Sequence, residues 1–229
     1  MMSKNSATPS GKAGRARPEA TRVDEVYHQI LLQIVRGQLH GGTELKSTQL
    51  AKQLGVSRTP VVQALQRLAS DGLVTLEINK RAVVRQGAEN WLVEIHEIRQ
   101  LLEPYAASLA AGRIPEAVLE RLTVLAEAAQ PHESPGWAQT AQEFDFALHL
   151  AVADNAGNYA LAEAIRKCWS FKRISYLAMP EPAENTERGY TQHLDILKAL
   201  KSADGETARV AMLYHLRAAS NSRPAETIV

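Results

Sequence analysis

Residues 45–74, LKSTQLAKQLGVSRTPVVQALQRLASDGLV, constrain the fold more than any other stretch of the chain. Leu50, Ala51 and Leu54 fall at the spacing of one buried helix face between Ser47 and Leu54. Gly55 follows, where a helix C-terminus favours a residue tolerant of positive φ. Ser57 then stands at a cap position, and its hydroxyl can accept from a free N–H of the next turn. Thr59 and Pro60 open a second helix, because proline loses no hydrogen bond in a first turn. That helix buries Val61, Ala64, Leu65 and Leu68 and ends at Gly72. Two short helices joined by a tight glycine-containing turn form a helix-turn-helix.

The exposed side of the second helix starts with Ser57, Arg58 and Thr59 and continues through Val62, Gln63 and Gln66. None is acidic. In a helix-turn-helix the first residues of the second helix meet base edges in the major groove. Arg can pair with guanine N7 and O6, and Gln with adenine. A helical hairpin in an ordinary bundle would show the same periodicity.

Next comes LVTLEINKRAVV, in which Leu73, Val74, Leu76, Ile78, Val83 and Val84 flank Asn79, Lys80 and Arg81. Apolar and β-branched runs on both sides of a polar turn predict a β-hairpin with a basic tip. Lys80 and Arg81 would then lie on phosphates or in the minor groove, making the unit a winged helix.

LAKQLGVSRTPVVQALQRLASDGLV resembles the winged helix of GntR-type bacterial transcription regulators. GVSRTPV stands intact, with AL, RL and GLV following at the family's spacing. Val62 departs from the usual Arg, Gln63 from Glu, Thr48 from a frequent Arg, and Arg81 from a wing Gly. The resemblance therefore implies base contacts at Arg58 and Thr59 only.

The chain of 229 residues is long enough for two domains, and a hydrophobic fraction of 45% can form a sizeable core. The formal charges of residues 1–22, 23–85 and 86–229 are +4, +3 and −6, which the total of +1 conceals. A basic first third beside an acidic remainder implies that only the first part meets a polyanion. Cys168 is the sole cysteine, so no disulfide within the chain is possible, as suits a reducing cytoplasm. Its neighbours Ile165, Trp169 and Phe171 mark it as a core residue. No apolar run approaches membrane-spanning length and no signal peptide precedes the first domain, so a cytoplasmic location is expected.

Residues 1–20 lack an apolar period and read as a disordered tail. Residues 21–85 form the winged helix. Its first helix, 23–39, carries Val23, Val26, Tyr27, Ile30, Leu31, Ile34 and Val35 on one stripe. Residues 86–90 read as a linker and 91–223 as an all-α bundle. Its first helix carries Trp91, Ile95, Ile98, Leu102, Tyr105 and Leu109 and ends at Gly112. Five more are predicted at 115–130, 136–156, 158–178, 187–202 and 204–222. The fold class is thus mainly α: a winged helix of three helices and a hairpin, then a helical bundle.

Asp145 and His149, four residues apart, share a helix face with Leu148 and Val152. His193 shares one with Ile196, Leu197 and Leu200, and His215 one with Ala208, Ala211, Met212 and Ala219. Polar groups on core-facing stripes need partners. An Asp-His-His-His set on facing helices suits Zn²⁺, Ni²⁺ or Mn²⁺, while three separately hydrogen-bonded histidines would give the same periodicity. His28, His40, His96 and His132 read as surface residues.

EIRQLLEPYAASLAA resembles the opening helix of the FCD ligand-binding domain found in one large GntR subfamily, the FadR/VanR-like regulators. EFDFALHLAVADNAGN is similar to that domain's Asp-x-x-x-His helix. The resemblance implies metal ligands at Asp145, His149, His193 and His215, and six helices match the shorter, VanR-like form. It also implies an effector-site role for Arg99, which otherwise reads as a surface partner of Glu103. The whole then reads as a homodimeric regulator of double-stranded operator DNA, answering to a small carboxylate effector. A metal-dependent enzyme is the alternative. Against it, the sequence lacks HExxH, GxSxG and a Gly-rich phosphate loop, and shows no second acid adjoining the metal set. A bundle that binds a partner protein is a third reading.

Overall fold

A computed structural model of the protein describes residues 19–77, 81–132, 136–178 and 182–220. The chain divides into two compact units, with a boundary between Gln86 and Gly87.

The first unit holds α1 (Glu19–Val35), β1 (Glu44–Leu45), α2 (Ser47–Leu54), α3 (Arg58–Ser70), β2 (Val74–Leu76) and β3 (Ala82–Val84). Helix α1 starts two residues inside the expected tail, the rest of which lies outside the described residues. The predicted stripe of α1 is buried at Val26, Tyr27, Ile30, Leu31 and Ile34. Val61, Ala64, Leu65 and Leu68 are the buried face of α3. Tyr27 fixes the register, since its hydroxyl donates to Asp71 Oδ2 at 2.7 Å and the Arg67 guanidinium lies 4.1 Å from its ring centre. Arg67 also reaches Asp24 at 2.6 Å.

Gly55 takes φ 64°, as the turn between α2 and α3 requires. Ser57 is the N-cap of α3, in extended conformation, but its side chain makes no capping hydrogen bond, which corrects the expectation. The sheet has three strands in the order β1-β3-β2, both pairs antiparallel. Strand β1 is an addition to the predicted hairpin. Two residues are too short to show a period of two. The hairpin tip, including Ile78, Asn79 and Lys80, lies outside the described residues.

The second unit begins with a 3-10 turn at Ala88–Asn90, in the stretch read as a linker, with Ala88 buried. Six helices follow among the described residues: α4 (Trp91–Ala110), α5 (Glu116–Ala128), α6 (Trp137–Asn155), α7 (Tyr159–Ala178), α8 (Ala183–Lys201) and α9 (Gly205–Ser220). Helix α8 starts four residues before its expected beginning. Helix α4 packs against α9, α7 and α6, and α8 against α9 and α6. Phe144, Leu148, Trp169, Ile196 and Met212 stand in the shared core with alanines of α4 and α6. Small residues let these helix axes approach closely.

The buried face of α4 differs from the predicted stripe. Leu92, Ile95, His96, Arg99, Glu103, Ala106, Ala107 and Ala110 are inside, whereas Ile98 and Tyr105 are exposed. Three polar residues on the inner face had displaced a pattern built from apolar residues alone.

Candidate metal centre and nucleic-acid interface

Asp145 and His149 project from α6, His193 from α8 and His215 from α9, and one ligand atom from each lies within 4.8 Å of all the others. The spacing is tighter than that range suggests. His149 Nε2 is 3.4 Å from His193 Nε2, which is 3.1 Å from His215 Nε2. Asp145 Oδ1 is 3.2 Å from both His149 Nε2 and His193 Nε2. Four donors set tetrahedrally about 2.0–2.1 Å from one ion would stand about 3.3–3.4 Å apart.

Tautomers give a second test of fit. His149 Nδ1 donates to Glu103 Oε2 in a short hydrogen bond, and His215 Nδ1 to Gln192 Oε1 at 3.1 Å. Each ring therefore directs an unprotonated Nε2 inward. His193 Nε2 lies between the two and carries at most one proton, so at least one contact brings lone pairs face to face. Asp145 Oδ1 is buried without a hydrogen bond, while Tyr176 donates to Oδ2. Three Nε2 atoms, at least two of them unprotonated, and a carboxylate oxygen without a hydrogen bond converge on one point, which fits a divalent cation.

The electrostatics agree with this. Burial, reinforced by the neighbouring His193 and His149, holds His215 well below its ordinary value. Burial also lowers His149 against the opposing pull of Glu103. Burial would raise Asp145, but His193 and His149 outweigh it and hold the carboxyl well below its usual range. His149 and His215 are thus neutral and the acid ionised, the states in which they bind metals.

Two sequence expectations change here. Glu103, 1% exposed, does adjoin the metal set through His149, contrary to the absence of a second acid. It is no free base: Arg99 Nε donates to its Oε1 at 2.5 Å and Trp169 Nε1 at 3.1 Å. Burial opposes ionisation, yet Arg99 and then His149 lower its pKa to about 2. His96 is not a surface residue. It is buried, with Nε2 2.8 Å from the carbonyl of Leu216. His28, His40 and His132 are exposed as expected, and Cys168 is buried.

Arg99 is 3% exposed, so its pairing with Glu103 is internal and not a surface contact. Its guanidinium stacks 4.3 Å from the Trp169 ring centre. Beside it opens a cavity of about 190 Å³, lined by Arg99, Asp145, His193 and His215, and by Lys172 and Arg188. Gln142, Asn185 and Thr186 add neutral polar groups to the wall. Lys172, Arg188, Gln192 and Tyr176 went unmarked in the sequence, and Glu103 was marked only as a surface partner of Arg99. The i, i+4, i+7, i+11 run of Leu92, His96, Arg99 and Glu103 was the available signal for Glu103.

In the first unit, Ser57, Arg58, Thr59, Val62, Gln63 and Gln66 are all exposed on one side and end of α3. Arg58 Nη2 is 3.4 Å from Ser47 Oγ at the start of α2, and no acidic residue occupies the first turn of α3. Arg81 is exposed at the start of the return strand, 3.8 Å from Glu44 on β1. Lys80 lies outside the described residues.

An exposed recognition helix with a wing, followed by an all-helical unit with a buried histidine-carboxylate cluster, defines a DNA-binding regulator with a sensory domain. The gntR family of bacterial regulatory proteins matches residues 22–84 and the FCD domain residues 94–218, and the chain belongs to that family. It is 31% identical over 204 residues to the probable D-xylose utilization operon transcriptional repressor of Paenarthrobacter nicotinovorans, covering 86% of this chain and 87% of that one. It is 30% identical over 213 residues to the HTH-type transcriptional regulator LutR of Bacillus subtilis (strain 168), covering 80% and 92%. Among solved structures, E. coli McbR/YncC superposes with a TM-score of 0.62 at 26% identity, covering 87% of this chain and 95% of that one. The protein is a transcription regulator and not an enzyme, as are its relatives. No helix among the described residues is long and apolar enough to cross a membrane.

Proposed function

We propose that the protein is a homodimeric, cytoplasmic regulator whose bundle holds a divalent metal and a small carboxylate effector, and whose winged helices bind operator half-sites. The convergence of three Nε2 atoms and an unpartnered carboxylate oxygen beside a cationic cavity carries the reading. Asp145, His149, His193 and His215 are the ligands of Zn²⁺, Ni²⁺ or Mn²⁺. Such an ion supplies open coordination positions for a carboxylate oxygen. Arg99 faces the same cavity and pairs with the anion, while Lys172 and Arg188 extend the positive wall.

For dimerisation, α4 and α9 expose Ile98, Leu101, Tyr105, Val210 and Tyr214. An apolar stripe along two packed helices supports a self-association face. In the first unit, Ser57, Arg58, Thr59 and Gln63 address the bases, and Lys80 and Arg81 the backbone or minor groove.

Calorimetry with a panel of organic and sugar acids tests the sensory half. Metal-loaded protein should bind an effector, and metal-stripped protein and His193→Ala should not. Arg99→Gln should weaken binding about tenfold, equal to about 1.4 kcal/mol. An acid bound equally by loaded, stripped and Arg99→Gln protein would refute the site.

A further inference from the structure

Glu103 stands where two parts of the sensory site meet. It lies on α4, is 1% exposed, and has both oxygens committed. Oε2 accepts from Nδ1 of His149. Oε1 accepts from Arg99 Nε at 2.5 Å and from Trp169 Nε1 at 3.1 Å. The Trp169 ring packs against both other partners, 4.8 Å from the His149 ring centre and 4.3 Å from the Arg99 guanidinium.

This arrangement does more than neutralise a buried arginine. A lone ion pair would leave the His149 tautomer undetermined. The carboxylate can only accept, so it fixes the proton on Nδ1 and presents the Nε2 lone pair to Asp145 and His193. The negative charge also raises the electron density of the imidazole, making Nε2 a better donor. At the same time it fixes the guanidinium from its Nε edge, opposite the two terminal nitrogens. We propose that Glu103 is the positioning residue of the sensory site, setting the tautomer and donor strength of His149 and the orientation of Arg99 with one carboxylate. The inference rests on the metal reading above.

The test titrates Zn²⁺ alone against a competing chelator, using the full-length chain and two variants. Glu103→Gln preserves shape but leaves Arg99 buried without its counter-charge, so it can fail to fold. The double variant Arg99→Gln/Glu103→Gln removes both charges and tests the histidine contact separately. Zn²⁺ affinity should fall ten- to a hundredfold in the folded variants, with far-ultraviolet circular dichroism unchanged. Visible spectra of the Co²⁺-substituted forms should shift as the His149 donor weakens, a change that a purely structural role would not produce. In the unmutated, metal-free protein at pH 8, ¹⁵N correlation spectra should show His149 protonated at Nδ1. Zn²⁺ affinity within threefold of the parent in a folded variant, or an Nε2-protonated His149, would overturn the role of Glu103 and leave the metal site standing. A parent chain that takes up no Zn²⁺ would overturn both.

Discussion

Arg58 is exposed in the first turn of α3, with its Nη2 a long 3.4 Å from Ser47 Oγ. No acid restrains it there, so it is available to reach a base edge. Losing one bidentate base pairing typically removes about 1–3 kcal/mol of discrimination. Arg58→Ala is expected to abolish operator preference while leaving circular dichroism unchanged, and unchanged specificity in gel-shift titrations would exclude Arg58 as the main reader. Acid sensitivity belongs to the same scale. His149 and His215 are held below their ordinary value in the folded chain, burial being the first cause. On unfolding they regain a pKa of about 6.5 and take up protons, so stability should fall as pH drops below about 6.5. Glu103 acts further down the scale. With a folded pKa of about 2, its contribution is complete above the ordinary carboxylate range and fades as pH falls towards that value. Calorimetric melting of metal-stripped protein should therefore be nearly flat from pH 8 to 7 and decline below, and a Tm that rose on acidification would contradict the buried neutral histidines. Asp145, His149, His193 and His215 were legible because each lay on an apolar helical stripe or within a family motif. Glu103 was hidden because it formed an unremarkable i, i+4 pair with Arg99, and only the packing of α6 and α7 on α4 reveals its other partners.

At the scale of elements, the recognition helix was readable because Gly55, Pro60 and Gly72 punctuate it and Val61, Ala64, Leu65 and Leu68 give its buried face. The opening bundle helix was misjudged in its orientation about its own axis, since its inner face carries His96, Arg99 and Glu103. Strand β1 was invisible because it contributes only two residues. Its pairing with β3 nevertheless matters to the wing, for it places Glu44 3.8 Å from Arg81. Such an exposed pair is weak, and DNA phosphates can replace the carboxylate. The double substitution Lys80→Ala/Arg81→Ala is expected to weaken binding to all sequences alike. It should also reduce the slope of log K against log salt by about one to two. An unchanged slope would show that the wing leaves the phosphate backbone untouched.

For the whole molecule, a regulator that reads two half-sites needs two reading heads. The exposed stripe of Ile98, Leu101, Tyr105, Val210 and Tyr214 is the face proposed for pairing. Introducing charge there should prevent burial of the stripe against a second copy. Leu101→Glu/Tyr214→Glu is expected to sediment as a monomer, retain Zn²⁺ binding and lose most operator affinity. A double variant that remained dimeric would place the interface elsewhere.

The cavity wall has a division of labour that bears on retargeting the protein as a biosensor. Arg99 is tied through Glu103 to His149, so altering it also disturbs the histidine-carboxylate cluster. Gln142 on α6 and Asn185 and Thr186 on α8 line the same space without belonging to that cluster. The latter two make local side-chain hydrogen bonds: Asn185 Oδ1 accepts from Arg188, and the Thr186 hydroxyl donates to the carbonyl of Pro182. A library confined to these three positions would vary the shape offered to new ligands while leaving Arg99, Glu103 and the histidine-carboxylate cluster in place.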